Sequence, residues 1–430
     1  MQTNLADFIK NTPEGQEAEE ILRSCVHCGF CLAACPTYQL LGDELDSPRG
    51  RIYLMKQVLE GEPVTEKTQL HLDRCLTCRA CESVCPSGVR YGRLVDIGRD
   101  VVEKKVGREP SSSAKRYLLR RVLPKPGIFK PLLKLGQSVR PLLGLLPGQL
   151  AESIPQSDTK ASAESSWPPA RHARKMLVLE GCVQPTLAPN INAATARVLD
   201  RLGISLIKAS KAGCCGALSY HLNAQQEGLD YMRCNIDAWW PYVDERAEPG
   251  AGDRVEAIVI TASGCGVTVK DYGYLLRHDP EYAQKAARIS ALAKDISEII
   301  EAEAETLFSL LNGIPIDEEK SKLAFHSPCT LQHGMKIRGV VEKILQAAGF
   351  ELTYVPDAHL CCGSAGTYSL LQPELSKQLL TNKVAALESG APARIVTANI
   401  GCLTHLKGGT SFPVDHWIEI LDETLGFNDG

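Results

Sequence analysis

The sequence predicts a multidomain protein of the α+β class, in which a helical N-terminal module precedes two tandem α/β repeats. At 430 residues, the chain is longer than a single hydrophobic core usually serves. Two similar cysteine runs lie in helix-like sequence before residue 100, and a different cysteine pattern occurs twice after residue 170. The predicted boundaries are 1–100 for the first module, 101–170 for a basic segment and flexible linker, 171–310 for the first repeat and 320–430 for the second.

Eight of the 17 cysteines form two copies of the spacing C-x2-C-x2-C-x3-C-P. They are Cys25, Cys28, Cys31 and Cys35, followed by Pro36, and Cys75, Cys78, Cys81 and Cys85, followed by Pro86. This spacing is typical of ferredoxins with two 4Fe–4S clusters, in which the fourth cysteine of each run binds the other cluster. It therefore predicts one cluster on Cys25, Cys28, Cys31 and Cys85, and a second on Cys75, Cys78, Cys81 and Cys35. Zinc knuckles or a disulfide framework are the alternatives, but neither needs this crossed arrangement.

The sequence around these cysteines is helix-like. A helical stretch, 18–23, leads into the first run, and 49–59 carries apolar residues at helical spacing between the runs. The interval of 40 positions from Cys35 to Cys75 resembles the insert of the α-helical ferredoxin module of succinate dehydrogenase and related subunits. That resemblance implies a protein that carries electrons between a flavoprotein and a quinone or membrane acceptor.

Residues 101–145 are strongly basic, with eleven Lys or Arg against Glu103 and Glu109. Three interpretations stay open: a face that rests on anionic lipid, a docking face for an acidic partner, and a solvated stretch without a partner. Prolines at 124, 126, 131 and 141 argue against a long helix here. The polar residues from Gln149 to Ala170 predict a flexible linker.

The second cysteine pattern predicts an internal duplication. Its members are Cys182, Cys214, Cys215 and Cys265 in the first copy, and Cys329, Cys361, Cys362 and Cys402 in the second. The first step of the pattern is 32 positions in both copies, and a strand-like run precedes each lone cysteine. Alternation of strands and helices predicts two α/β halves with mostly parallel sheets, facing each other across a pseudo-twofold axis. The cysteines would then lie at the carboxyl ends of strands, where ligands collect in such folds.

The Cys-Cys-Gly strings resemble the CCG domain of heterodisulfide reductase B subunits and of iron–sulfur subunits of 2-hydroxy-acid dehydrogenases. In the former, each repeat ends in Cys-x-x-Cys and supplies five thiolates to a non-cubane cluster. Here Thr268 and His405 occupy the last position, so each copy keeps four thiols. Either these thiols bind one or two further iron–sulfur clusters, with His405 as a candidate nitrogen ligand, or they are buried as small apolar groups. The missing cysteines argue against disulfide reduction.

Some polar residues near the cysteines receive a structural interpretation. We interpret His326, His333 and His359 as ordinary packed or surface histidines, with the alternative that they tune a cluster. Arg49 and Arg51 follow Ser47-Pro48 and either neutralise cluster charge or cap the following helix. Cys234 matches no position of the second repeat and is assigned a structural role.

Several function classes receive no support. No G-x-G-x-x-G follows a strand, and there is no Walker loop or flavin motif. We therefore assign no catalytic residue and expect FAD on another chain. A net charge of −4 gives no pull toward nucleic acid. The absence of a secretory signal and of a long apolar stretch leads us to expect a cytoplasmic protein.

Longer strings resemble the iron–sulfur subunits of bacterial glycolate dehydrogenase, also called glycolate oxidase. They include Ser47-Pro-Arg-Gly-Arg-Ile-Tyr53, Leu72-Asp-Arg-Cys-Leu-Thr-Cys-Arg79 and Cys361-Cys-Gly-Ser-Ala-Gly-Thr-Tyr368. The resemblance implies a complex with an FAD-binding catalytic subunit and a second flavin-type subunit, which oxidises glycolate to glyoxylate. Electrons would leave for a membrane quinone, so the resemblance also implies peripheral association with the inner face of the cytoplasmic membrane.

Three alternative functions stay open. The alternatives are the equivalent subunit of a D-lactate or glycerol-3-phosphate dehydrogenase, a heterodisulfide-reductase-like thiol/disulfide redox protein, and a zinc-binding scaffold.

Overall fold

The computed structural model describes residues 1–143, 167–244 and 254–426. Most of the predicted linker therefore lies outside the described residues. Within these ranges, the mixture of helices and parallel sheets confirms the predicted fold class. The four domain boundaries stay predictions.

The described N-terminal part is helical, with α2 (Pro13–Ser24), α4 (Pro48–Leu59) and α7 (Tyr91–Val106) packed around a core that includes Leu22, Met55 and Leu94. Thr12 and Ser47 cap α2 and α4, and each is followed by a proline at the first helical position, where a missing N–H costs nothing. The helices are α1 (Asp7–Lys10), α2 (Pro13–Ser24), α3 (Pro36–Leu41), α4 (Pro48–Leu59), α5 (Glu66–Asp73), α6 (Ala80–Ser83), α7 (Tyr91–Val106), α8 (Pro110–Val122) and α9 (Pro126–Leu143), with a 3-10 turn at Glu44–Asp46.

The basic segment forms α8 and α9, so the expectation that its prolines prevent a long helix is wrong. Helix α9 has 18 residues and contains Pro131 and Pro141. An internal proline removes one backbone hydrogen bond. Burial of Phe129, which is 9% exposed, is one packing contribution that opposes this local cost. None of the described helices is both long enough and apolar enough to span a bilayer.

Two four-stranded sheets follow, and every strand pair in them is parallel. Their strand orders, β2-β1-β3-β4 and β6-β5-β7-β8, are the same, as expected for a duplication. The strands are β1 (Arg174–Val178), β2 (Ile204–Lys208), β3 (Ile258–Ile260), β4 (Ala293–Asp295), β5 (Lys322–His326), β6 (Glu351–Leu352), β7 (Arg394–Thr397) and β8 (Val414–His416).

Helices cover these sheets and join the two repeats. They are α10 (Gln184–Leu187), α11 (Asn190–Arg201), α12 (Ala217–His221), α13 (Gln225–Val243), α14 (Ser263–Lys270), α15 (Tyr272–Leu275), α16 (Ala283–Leu292), α17 (Ile296–Ala302), α18 (Ala304–Leu311), α19 (Val340–Ala347), α20 (Tyr368–Leu371), α21 (Pro373–Glu388), α22 (Ile400–Lys407) and α23 (Trp417–Thr424). The second repeat also contains a 3-10 turn at Glu318–Lys320 and a π-helical turn at Thr330–Gly334.

The repeats share one hydrophobic core, which includes Val178 and Leu199 of the first and Ile395 and Trp417 of the second. Helix α11 packs on α23, and His416 Nε2 lies 2.9 Å from the carbonyl oxygen of Thr261. The two repeats are therefore packed as one body. The pseudo-twofold axis itself stays a prediction.

Candidate metal centres

The first centre is a cavity whose lining includes Cys25, Cys28, Cys31 and Cys85, together with Cys81 of the second set. Cys25 directly follows α2, and Cys85 comes from the other cysteine run, just after α6. Burial raises the pKa of the Cys31 thiol to about 11, and the neighbouring thiols add to this effect. A metal replaces the proton of such a thiol, so this donor set fits a 4Fe–4S cluster.

The second centre is a cavity whose lining includes Cys35, Cys75, Cys78 and Cys81. Cys35 precedes α3, and its following Pro36 begins that helix. Burial raises the pKa of the Cys78 and Cys81 thiols well above the usual range. The structure thus brings together the two crossed sets of four thiols that the spacing predicts, and both sets fit the same kind of cluster.

Left-handed backbone shapes both cysteine loops in the same way. His27 and Gly29 have φ of 57° and 84° around Cys28, and Thr77 and Arg79 have φ of 52° and 59° around Cys78. Only one of these four residues is glycine. A left-handed non-glycine residue costs about 1–3 kcal/mol and persists where the surrounding structure imposes it. The shared left-handed conformation is therefore imposed by the fold of the two cysteine loops and not by glycine.

A buried cation lies beside the second centre. Arg51 is 1% exposed, and its Nη1 lies 3.9 Å from Cys35 Sγ and 3.1 Å from Thr37 Oγ1. Its Nη2 forms an ion pair with Asp46 Oδ1 at 3.2 Å. Ser47, not Arg51, caps α4, so the structure favours charge neutralisation over helix capping for this arginine.

In the first repeat, the loops after β1 and β2 and the start of α14 after β3 bring four cysteines together. Hydrogen bonds from Cys214 and Cys265 lower the pKa of the buried Cys215 thiol, while the pKa values of Cys214 and Cys265 are raised. Cys214 interacts with both Cys182 and Cys215. The fourfold thiol set is thus assembled from the carboxyl ends of three adjacent strands, as predicted.

The second repeat assembles its four cysteines in the same way. Cys329 Sγ lies 3.9 Å from Cys361 Sγ, and Cys362 interacts with both Cys361 and Cys402. The hydrogen bond to Cys361, with burial, raises the pKa of the Cys329 thiol well above the usual range. Cys234 lies on α13 and is exposed.

A histidine that the sequence analysis interpreted as an ordinary packed side chain lies beside these thiols. The ligand atoms of His326, Cys362 and Cys402 all lie within 4.8 Å of one another. His405, the candidate nitrogen ligand, instead has Nε2 at 3.2 Å from Ser376 Oγ. His333 bonds through its ring to Ser83 and to the carbonyl of His359. The signal available in the sequence for His326 was its place at the end of a strand-like run.

The thiols of the second repeat adjoin the second centre. Cys78, Cys329 and Cys361 belong to one apolar cluster with Leu76 and Tyr368. The Cys329 charge also contributes to the raised pKa of Cys78, after burial. The second centre and the second repeat are therefore in direct contact.

Comparisons with known proteins agree with an N-terminal module that precedes two repeats. The family model of a 4Fe–4S dicluster domain matches residues 21–89, and that of a cysteine-rich domain matches residues 176–270 and 323–407. The chain is 56% identical over 425 residues to the glycolate oxidase iron–sulfur subunit of Escherichia coli (strain K12), across 99% of both chains. It is 31% identical over 442 residues to the probable glycolate oxidase iron–sulfur subunit of Bacillus subtilis (strain 168), across 94% of this chain and 91% of the relative.

A more distant relative matches only part of the chain. Lactate utilization protein A of Bacillus licheniformis is 25% identical over 232 residues, across 53% of this chain and 88% of the relative.

Fold and thiol sets together define an iron–sulfur electron-transfer protein, built from a 4Fe–4S dicluster domain and two cysteine-rich repeats. The chain belongs to the family of glycolate oxidase iron–sulfur subunits. It is thus a subunit of an oxidoreductase complex.

Proposed function

We propose that this chain carries electrons in a flavin-dependent complex that oxidises glycolate to glyoxylate. FAD would lie on a catalytic partner, and a second flavin-type subunit would complete the complex. The observation that carries the proposal is the pair of crossed thiol sets. The second set contacts the thiols of the second repeat, and the sequence contains no flavin motif. The similarity to glycolate oxidase subunits over almost the whole chain supports glycolate as the substrate.

The crossed sets named above are the proposed ligands of two 4Fe–4S clusters. One or two further iron–sulfur clusters are proposed in the repeats. When bound, a 4Fe–4S cluster accepts one electron at a time, so the hydride of a hydroxy acid must first reach a flavin elsewhere. The residues of this chain hold and tune the sites. Arg51 places a positive charge beside Cys35, and Tyr91 donates a hydrogen bond to Cys75 Sγ at 3.6 Å. Such hydrogen bonds and charges set the reduction potential.

The surface of α9 supports peripheral association with the inner face of the cytoplasmic membrane, where a quinone would accept the electrons. Ile128, Leu132 and Leu135 are 42%, 48% and 61% exposed and recur at helical spacing along one face. The exposed Lys130 and Lys134 lie on the same helix. A basic helix with an apolar face is typical of proteins that rest on anionic lipid.

Vesicle binding tests this membrane contact. Sedimentation of the complex with phosphatidylglycerol vesicles should fall on substitution of Leu132→Glu and Leu135→Glu together. The control Tyr354→Glu, at a residue 82% exposed in the second repeat, should bind as the wild type does. If the double variant instead releases a flavin subunit and still binds vesicles, α9 is a docking face and the membrane proposal is wrong.

Substitution of single thiols tests the relay. Cys31→Ser and Cys78→Ser each remove one proposed ligand, so glycolate-dependent dye reduction by the complex should fall to background while the partner retains its flavin. Cys234→Ser is the matched control, because Cys234 is exposed and absent from all four thiol sets. Wild-type activity in both variants would overturn the relay.

Substrate choice is tested separately with the wild-type complex. Faster dye reduction with D-lactate or glycerol-3-phosphate than with glycolate would refute the proposed substrate and leave the relay in place.

A further inference from the structure

The two repeats differ at one pair of facing positions in the sheet. In the second repeat, His326 at the end of β5 is paired with Thr397 at the end of β7. The first repeat continues the same register from Leu177↔Ile258 and Val178↔Val259, which places Leu179 opposite Ile260. Leu179 lies three residues before Cys182, as His326 lies three residues before Cys329. An apolar pair thus packs well here in one repeat, while the other buries a polar pair.

One nitrogen of His326 has a hydrogen-bond partner and the other does not. Nδ1 lies 2.9 Å from Thr397 Oγ1, and the side chain is 2% exposed. Nε2 is buried without a hydrogen-bond partner among the described residues. A buried polar atom normally has a partner, so an unpaired nitrogen on a ring beside two thiols points to a bound ligand.

We propose that His326 Nε2 is a metal ligand in the second repeat, together with the thiolates of Cys362 and Cys402. The three ligand atoms lie within 4.8 Å of one another, so one metal atom can contact all of them. Thr397 holds Nδ1, as outer hydrogen bonds do for ligating imidazoles, and leaves Nε2 as the nitrogen that can bind a metal. The inference rests on the proposed role of this repeat as an iron–sulfur site.

The surroundings match an anionic metal–thiolate group. Lys383 is 3% exposed, donates to the carbonyl of Asp357 at 2.7 Å, and interacts electrostatically with Cys361 and Cys362. Its charge can offset that of metal-bound thiolates. An imidazole ligand in place of a thiolate raises the potential of an iron–sulfur centre. The second repeat would therefore be easier to reduce than a site held by thiolates alone.

Nitrogen hyperfine spectroscopy of the intact complex tests the assignment. Protein labelled with 15N-histidine is prepared anaerobically, poised where the centre is paramagnetic, and examined by HYSCORE. A strong nitrogen coupling should be present in the wild type, retained in His405→Leu and absent in His326→Leu, which introduces the residue found at Leu179. In Thr397→Val, retention of the metal against a chelator should weaken by about 10–100-fold. Persistence of the coupling in His326→Leu would overturn the proposal.

Two further measurements keep the test decisive. If His326→Leu loses its metal, His326→Gly reconstituted with 15N-imidazole should regain the coupling, and failure to do so contradicts ligation. Unchanged iron and zinc contents in Cys362→Ser would also refute it. If the metal is zinc, extended X-ray absorption should show imidazole scattering that disappears in His326→Leu. Imidazole bound to zinc, or an imidazole signature at a centre that glycolate does not reduce, would support His326 as a ligand. Either result would refute the proposed electron path through the second repeat.

Discussion

Arg51 illustrates how a single residue can serve both stability and charge balance. Its guanidinium lies between Asp46, Thr37 and Cys35, and its Nε donates to the carbonyl of His71 at 2.7 Å. A buried ion pair contributes little net stability, but removal of one partner leaves the other charge without compensation.

We expect Arg51→Leu to lower the free energy of unfolding by about 1–3 kcal/mol, because the buried carbonyl of His71 and the Asp46 carboxylate each lose a hydrogen-bond donor, while Asp46 keeps its ion pair with Arg74 at 2.8 Å. Urea unfolding of the loaded protein measures this effect. Arg49→Leu is the control, since Arg49 and Glu44 are 33% and 44% exposed and such pairs contribute about 0–1 kcal/mol. Equal effects of the two substitutions would contradict this account. In Arg51→Leu the potential of the second centre should also become more negative.

At the residue scale, the sequence predicted which thiols lie together better than it predicted what surrounds them. The crossed thiol sets follow from spacing within short loops, and the structure brings together each set of four. His326 was interpreted as an ordinary histidine because nothing in the adjacent sequence distinguishes a ligand from a packed side chain. His326 comes close to Cys402 only because β5 pairs with β7, and the paired residues His326 and Thr397 are 71 positions apart in the sequence.

At the scale of elements, the Cys-Cys-Gly turns depend on the helices that follow them. A Cβ on Gly363 would lie 2.7 Å from the carbonyl oxygen of Ser376 and 2.9 Å from Leu379 Cβ, and its φ is +91°. Both residues belong to α21. The glycine therefore allows the helix to pack directly beneath the paired cysteines.

Gly363→Ala should destabilise the protein and displace Cys361 and Cys362. Gly366→Ala is the control, because Gly366 has φ of +64° but a methyl group there would meet no described atom within 4 Å. The control should cost only the left-handed strain, about 1–2 kcal/mol. Gly363→Ala should cost about 1–3 kcal/mol more, since the clash adds to the strain. Chemical unfolding and metal content measure the two effects, and equal losses would refute the role of the clash.

Among the elements, the strands were the more predictable. Short apolar runs before the lone cysteines became β1, β3, β5 and β7, and their parallel pairing is confirmed. Helix α9 was missed, because a local proline rule ignores the packing of Phe129 and the amphipathic pattern of the whole helix.

At the scale of the whole molecule, the two repeats are joined by a buried ion pair. Arg197 on α11 bonds to Asp422 on α23, with Nε at 3.1 Å and 3.0 Å from the two carboxylate oxygens. The same two helices contribute to the core that the repeats share.

We expect the two repeats to unfold in a single transition, and Arg197→Leu to lower the stability of both. The loss should be about 3–5 kcal/mol, because Asp422 would stay buried without its main partner. Lys208→Leu is the control, since Lys208 and Glu180 are 45% and 35% exposed and contribute about 0–1 kcal/mol. Calorimetry measures the transition. Two separate repeat transitions, only one of them shifted, would contradict the shared core.

By itself, the sequence predicted the crossed sets of cysteines, the duplication and the parallel sheets. These features depend on spacing within loops and on local periodicity, both of which are visible along the chain. Only the tertiary structure decided that the second repeat adjoins the second centre, that Arg51 lies beside Cys35 and that His326 lies beside Cys362 and Cys402. Such contacts arise when elements distant in the chain pack together, because the free energy of packing depends on the shapes of both surfaces.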